Sequence, residues 1–215
     1  MEKRNVLRWI GISGAVSAVI YAAHVVLGGL LWTGYSHMTQ TISELTADGA
    51  PNAALLRGFT TVYGVLAIIF AAWAIFALRK AGAKKTAIVG AVLLFIMEFA
   101  SLVGYGLFPL RGGTEMDPEN MGHLIVTGIV VLCTISSVLL VGLGLVKSPG
   151  LRVLGVFSLI CAVMIVVSGG MTPVALANHL TVGGLLERLN IFTLQTWVFV
   201  LSVSLVRKLR PEKQA

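Results

Sequence analysis

The chain is 215 residues long, 57% hydrophobic and 12% charged, with a mean hydropathy of +0.92. Soluble domains are about 45–50% apolar and about 25% charged, so this composition excludes a disordered chain, a disulfide scaffold and a soluble nucleic-acid module. The net charge of +7 does not restore the last class: nucleic-acid binders gather Lys and Arg on one polar face, whereas here they form short islands between apolar runs. The composition is that of a polytopic, all-α membrane protein, with no nucleic acid among its expected partners.

A spanning helix needs about 20 largely apolar residues, and six runs qualify, at 9–32, 54–78, 86–108, 120–146, 152–173 and 185–206. Only short connections remain, so residues 1–215 are expected to form a single six-helix domain. The first run follows Lys3, Arg4 and Arg8 and imitates a secretory signal. Its apolar stretch continues through Val25-Val26-Leu27 to Leu31-Trp32, longer than a signal core, and so predicts an uncleaved span. The connection Thr33–Ala53 is long enough to fold back onto the bundle mouth. Ala50-Pro51-Asn52 is expected to start the second helix, and Asp117-Pro118-Glu119 the fourth, with Asp capping and Pro at the first helical position. Phe108-Pro109 and Thr172-Pro173 are expected to end spans three and five, and Gly112-Gly113 and Gly183-Gly184 to form turns.

Trp9, Trp32, Tyr35, Tyr105 and Phe108 fall near span ends, where amphipathic rings settle at the interface. Trp73 is expected there too, whereas Trp197, in mid-span, is expected inside. Gly11, Gly14, Ala15, Ala18 and Ala22 form a helix-packing stripe. Cys133 and Cys161, on different spans, are expected to behave as small apolar core residues.

Orientation follows from the basic residues. Lys3, Arg4, Arg8, Arg79, Lys80, Lys84, Lys85, Lys147, Arg152, Arg207, Lys208, Arg210 and Lys213 fall on one side, and Arg57, Arg111 and Arg188 on the other. The positive-inside rule predicts a multi-pass protein of the cell membrane with both termini in the cytoplasm. Glu44, Asp48, Glu115, Asp117, Glu119 and Glu187 then lie outside.

Polar groups within a bilayer are costly and usually face the bundle interior. Glu98 lies twelve residues into span three, about 18 Å along its axis, near the midplane. An ionised carboxylate there costs several kcal/mol unless protonated or paired. Ser101 and Tyr105 follow on the same face, and span four answers with His123, Thr127 and Thr134. Glu98, Ser101, Tyr105 and Thr127 are therefore candidate substrate-binding residues. The four histidines, His24, His37, His123 and His179, all fall in the outer half, so a site is expected to open outward. Each of these groups also has a plain structural reading, as an interhelical hydrogen bond or a satisfied interior histidine.

No His-Glu-x-x-His, Gly-x-Ser-x-Gly, Walker or dinucleotide motif is present. Three ordered segments stand out instead: Gln40-Thr41-Ile42-Ser43-Glu44-Leu45, Gly106-Leu107-Phe108-Pro109 leading to His123, and Gly184-Leu185-Leu186-Glu187-Arg188. Together they resemble an uncharacterised prokaryotic six-span membrane family, domain of unknown function 998. The resemblance covers nearly the whole chain and implies a six-helix membrane fold, but it brings no established reaction. The signature residues Ser43, Glu44, His123, Glu187 and Arg188 all fall on the outer side by the charge count.

Three function classes stay open at this point. In an enzyme acting on a lipid or small amphiphile as hydrolase or transferase, Ser43 is the nucleophile or orienting hydroxyl and His123 the base. Glu44 or Glu187 orients that base, and Arg188 holds an anion. A variant places Zn²⁺ on His24, His123 and a carboxylate, the three-ligand pattern of catalytic zinc; otherwise no cofactor is implied. In a transporter or small-molecule-binding protein, Glu98 and His123 form a relay. In a purely structural protein, Glu44, Glu187 and Arg188 lock the outer face. Membrane lipids are partners in every case.

Overall fold

A computed structural model describes residues 2–111 and 118–209. Six helices follow one another: α1 (Glu2–Leu31), α2 (Ala53–Lys80), α3 (Lys85–Leu107), α4 (Pro118–Val146), α5 (Arg152–Ala177) and α6 (Gly183–Lys208). One 3-10 turn, Ser43–Thr46, interrupts the α1–α2 connection. Each helix contains an 18-residue window of mean hydropathy between 1.7 and 2.7. Such segments satisfy their backbone groups in lipid only by closing the helical ladder. The shortest, α3 at 23 residues, is about 34 Å long, enough for a hydrocarbon core of about 30 Å.

Consecutive helices pack side by side, α6 closes the ring against α1, and α2 also meets α6 across the interior. Small residues permit the approach, as expected for helices associating in lipid. A Cβ on Gly14 would stand 2.5 Å from the Phe70 ring, and one on Gly90 would stand 2.7 Å from the Val141 nitrogen. The outward faces are apolar and uncovered: Val153 is 86% exposed, Leu30 76% and Leu132 68%. Patches of that extent are not left to water, and the chain is an integral, multi-pass membrane protein.

The interior divides along the helix axes. Toward the face that carries the start of α1 and the end of α6 it is apolar, built from Phe70, Trp73, Leu78, Leu94, Leu145, Leu201 and Leu205. Trp197 is fully buried there, its Nε1 donating to Ser158 Oγ at 2.8 Å, as its mid-span position predicts. Cys133 and Cys161 are free thiols. Toward the opposite face a smaller cluster of Val25, Ile42, Leu45 and Leu56 seats the α1–α2 connection among Tyr21, Trp32, Tyr35 and Phe192.

Four local expectations need correction. Helix α5 does not stop at Thr172 but carries Pro173 inside it. Membrane helices tolerate such a proline; it removes only the bond to the Gly169 carbonyl, and the neighbouring Ser168 carbonyl takes the Thr172 hydroxyl at 2.9 Å. Gly183-Gly184 is not a turn: it opens α6, and its lack of side chains lets the Gln40 backbone lie against the helix. Pro51 does not begin α2; the helix starts at Ala53 after Asn52, whose backbone is left-handed (φ 61°) and whose amide donates to the Leu31 carbonyl at 3.3 Å. Trp73 is not an interfacial ring, because its indole sits under Gly11 with 5% exposure. Pro118 does open α4; Asp117 and Gly112-Gly113 lie outside the described residues.

Candidate functional site

The connection 33–52 folds back over the bundle mouth and is held there by two adjacent residues of α6. Arg188, 7% exposed, donates from Nη1 to the Gln40 carbonyl at 2.7 Å and to the Gly184 carbonyl of its own helix at 2.9 Å. Its Nε donates to His37 Nδ1 at 3.0 Å and its Nη2 to the Tyr35 hydroxyl at 2.5 Å. The Tyr35 ring lies against the same guanidinium, 5.4 Å from centroid to Cζ, within the range of a cation–π contact. Tyr35 passes the chain on, its hydroxyl donating to the Thr41 carbonyl at 2.6 Å. The planar fork of arginine suits this task, since several donors leave it in fixed directions.

Glu187 takes the next backbone group. Its Oε2 accepts from the Ile42 N–H at 2.5 Å. Glu44 closes the turn on itself: Oε1 accepts from the Thr41 N–H at 2.8 Å and from the Thr41 hydroxyl at 3.0 Å, while Oε2 accepts from the Gln40 amide at 3.0 Å. Between them the two carboxylates satisfy the N–H groups of Thr41 and Ile42, which precede the 3-10 turn and have no helix of their own. Main-chain bonds complete the dock, from Leu185 N–H to the Met38 carbonyl (3.0 Å) and from Asp48 N–H to the Leu110 carbonyl (2.9 Å). Burial, with the Arg188 charge as a smaller cause, holds the His37 imidazole below its usual range, consistent with a neutral ring that accepts from Arg188. Burial pushes the Tyr35 phenol up, consistent with a hydroxyl that still donates.

Beneath this cap lies a polar interior. Glu98 on α3 is 2% exposed and accepts from the Tyr63 hydroxyl of α2 at 3.2 and 3.4 Å. Gln195 of α6 donates to that hydroxyl at 3.1 Å. The Tyr21 ring of α1 packs edge-on against Tyr63 (centroids 4.8 Å) and against His24 (5.4 Å). Among the described residues three polar atoms here have no hydrogen-bond partner: both ring nitrogens of His24 and Oε1 of Gln195. His24 is 1% exposed and Gln195 4%. Buried polar groups are almost always paired, and each unpaired one costs about 1–3 kcal/mol.

His123 belongs to a third group. Its Nδ1 lies 3.0 Å from the Phe108 carbonyl and its ring 4.9 Å from that of Tyr105. Tyr105 donates to Thr127 Oγ1 at 3.2 Å, and Thr127 to the His123 carbonyl at 2.8 Å.

Of the residues singled out from sequence, Ser43, Glu44, Glu187 and Arg188 therefore come together at the mouth, and Tyr105, Thr127 and His123 form a neighbouring set. Among the described residues no hydrogen bond joins His123 to Ser43 or to Glu98, or Ser101 to Glu98. Among the described residues no three His, Cys, Asp or Glu side chains gather as a metal set. The residues not foreseen are Tyr21, Tyr63 and Gln195, with Tyr35 and His37 in the clamp. Two carried a signal: Tyr21 precedes His24 by three residues and Gln195 follows Arg188 by seven, spacings that share a helix face.

No curated protein and no solved structure matches the chain. A family model, however, matches residues 15–204, from within α1 to within α6 and across all three polar groups, and the chain accordingly belongs to the family described as Protein of unknown function (DUF998).

Proposed function

We propose that this protein binds a small polar solute in the interior between α1, α2, α3 and α6, under the cap formed by residues 33–52, as a membrane-embedded binding or transport protein. One observation carries the reading: Gln195 presents a buried carbonyl oxygen beside the Tyr63–Glu98 hydrogen bond, and His24, one ring away across Tyr21, presents two buried nitrogens, none of the three paired among the described residues. A solute with both donors and acceptors completes that set, with Glu98 carrying the exchangeable proton and Tyr63 fixing its orientation. The polar groups at the mouth support a cap rather than a catalytic centre, because Glu44, Glu187 and Arg188 spend their hydrogen bonds on the backbone and side chains of the connection. By the charge bias of the sequence the site opens to the outside of the cell membrane, with both termini in the cytoplasm.

The test is thermal unfolding of the purified protein against a panel of sugars, polyols, amino acids and carboxylic acids. A ligand at a hundredfold excess over its dissociation constant stabilises by about 2.7 kcal/mol. The expected result is a compound that raises the midpoint of the wild type but not of Glu98→Gln or Gln195→Leu. Equal shifts in all three proteins, or none in the wild type, would overturn the proposal. In proteoliposomes Glu98→Gln should also remove any proton flux that accompanies the bound solute; an unchanged flux takes Glu98 out of the transport step.

A further inference from the structure

At the opposite end of the bundle, near the end of α2, the structure shows an arrangement that the interior site does not use. Two grooves flank Phe76. The first, between α2 and α3, has a volume of about 320 Å³ and is walled by Ala72, Ile75, Phe76 and Phe95, with Arg79 at its end. The second lies where α1, α2 and the residue after α6 meet, and is lined by Leu7, Arg8, Trp73, Phe76, Lys80 and Leu209. Residues 72, 75, 76 and 79 follow the helical stripe of one groove and 73, 76 and 80 that of the other, so Phe76 is the shared wall.

The side chains that bring polar atoms to the second groove, Arg8, Trp73 and Lys80, carry donors only. Among the described residues Arg8 Nε and Trp73 Nε1 are shielded from water and have no hydrogen-bond partner, and Trp73 is 5% exposed. The Lys80 ammonium lies over the Phe76 ring, 5.6 Å from its centroid, and Arg79 and Lys80 are exposed. Among the described residues neither groove is lined by an acidic one. Unpaired N–H groups beside two cations, above an apolar channel on a lipid-facing surface, are complementary to an anionic oxygen cluster that carries an acyl chain.

We propose that this end of α2 is a specific site for one anionic phospholipid. The phosphate takes the exposed Lys80 ammonium and the Arg8 guanidinium at the surface, and an acyl chain lies along the groove between α2 and α3 past Phe76 and Phe95. Basic pockets between membrane helices recognise lipid headgroups in this way. The apolar channel distinguishes the lipid from a free anion. The site stands apart from the interior polar cluster and does not depend on it.

Retention of lipid by the full chain, delipidated in detergent and titrated with phosphatidylglycerol, phosphatidylcholine or inorganic phosphate under native mass spectrometry, tests the proposal. One phosphatidylglycerol should bind per chain. Lys80→Gln should weaken it about fivefold and Arg8→Gln by about as much again, while Glu98→Gln leaves it unchanged. Lys80 is exposed, so its variant keeps the fold, verified by an unchanged unfolding midpoint in lipid-free detergent. Phosphatidylcholine bound as tightly as phosphatidylglycerol, wild-type retention in both cation variants, or displacement of the lipid by an equal concentration of inorganic phosphate would each overturn it.

Discussion

Removing Arg188 tests whether the cap is held by one side chain. Arg188→Ala deletes three bonds into the connection, to the Gln40 carbonyl, His37 and Tyr35; the fourth, to Gly184, stays within α6. Hydrogen bonds to a charged group are worth about 1.5–3 kcal/mol each, which brackets the gross loss at about 4–9 kcal/mol. Water returns part of this to Tyr35 and His37 once the connection lifts, so a net cost of about 3–5 kcal/mol is expected. The connection then opens locally, since the α3–α4 and α5–α6 contacts are untouched. At about 1.4 kcal/mol per decade, exchange of the Gln40, Ile42 and Leu45 amides should accelerate by roughly two to three orders of magnitude, with α3 and α4 amides unchanged. Asp48→Ala is the contrast. Its ion pair with Arg57 is 47% and 42% exposed, and a pair so placed contributes under about 1 kcal/mol. Equal exchange in Arg188→Ala and the wild type, or acceleration spread evenly over all six helices, would refute the assignment of the clamp to Arg188.

Three further outcomes follow from the same geometry. Gly184→Ala drives a Cβ into the Gln40 carbonyl and should cost about 1–3 kcal/mol, read as faster exchange in residues 38–45. His37 accepts from Arg188 only when neutral, and its folded-state range lies below the usual value near 6.5. Its contribution is therefore complete above about pH 6.5 and lost as the pH falls through the lower folded value. Protection of the Tyr35–Ile42 amides should drop on acidification, and His37→Gln should remove that drop; an identical profile in the variant would dissociate His37 from it. Trp197→Phe removes the bond to Ser158, whose hydroxyl keeps its own bond to the Leu154 carbonyl. A loss of about 1–2 kcal/mol in thermal unfolding is expected, and one above about 4 kcal/mol would show that the indole bond does more than pair with Ser158.

Much of the mouth is legible in the amino-acid sequence. Glu44, Glu187 and Arg188 are charges stranded at the ends of apolar runs, and a charge in that position demands a partner. The identity of those partners is not legible there. Arg188 looks like an anion-binding residue in the sequence, yet it donates to carbonyls, an imidazole and a phenol. His123 looks like a base for Ser43, but it sits with Tyr105 and Thr127 on the α3–α4 side. Tyr63 gives no signal and Gln195 only the faint one of its spacing from Arg188, because each is a single moderately polar residue in a long apolar run. They matter through Glu98, which lies on a different helix.

Composition and window hydropathy suffice for a six-helix membrane protein, because lipid admits a spanning segment only as a helix long enough to cross it, and that condition is local to each run. Helix boundaries follow to within two residues, except at the start of α1, which begins at Glu2 rather than at residue 9, and at Pro173, where the helix runs on to Ala177. Which helices touch, and so which polar groups meet, is set by side-chain shape across interfaces between segments far apart in the chain. Only the folded bundle shows that α2 reaches α6 inside the ring, which places Gln195 beside Tyr63 and Tyr63 beside Glu98, and leaves His24 with no hydrogen-bond partner among the described residues.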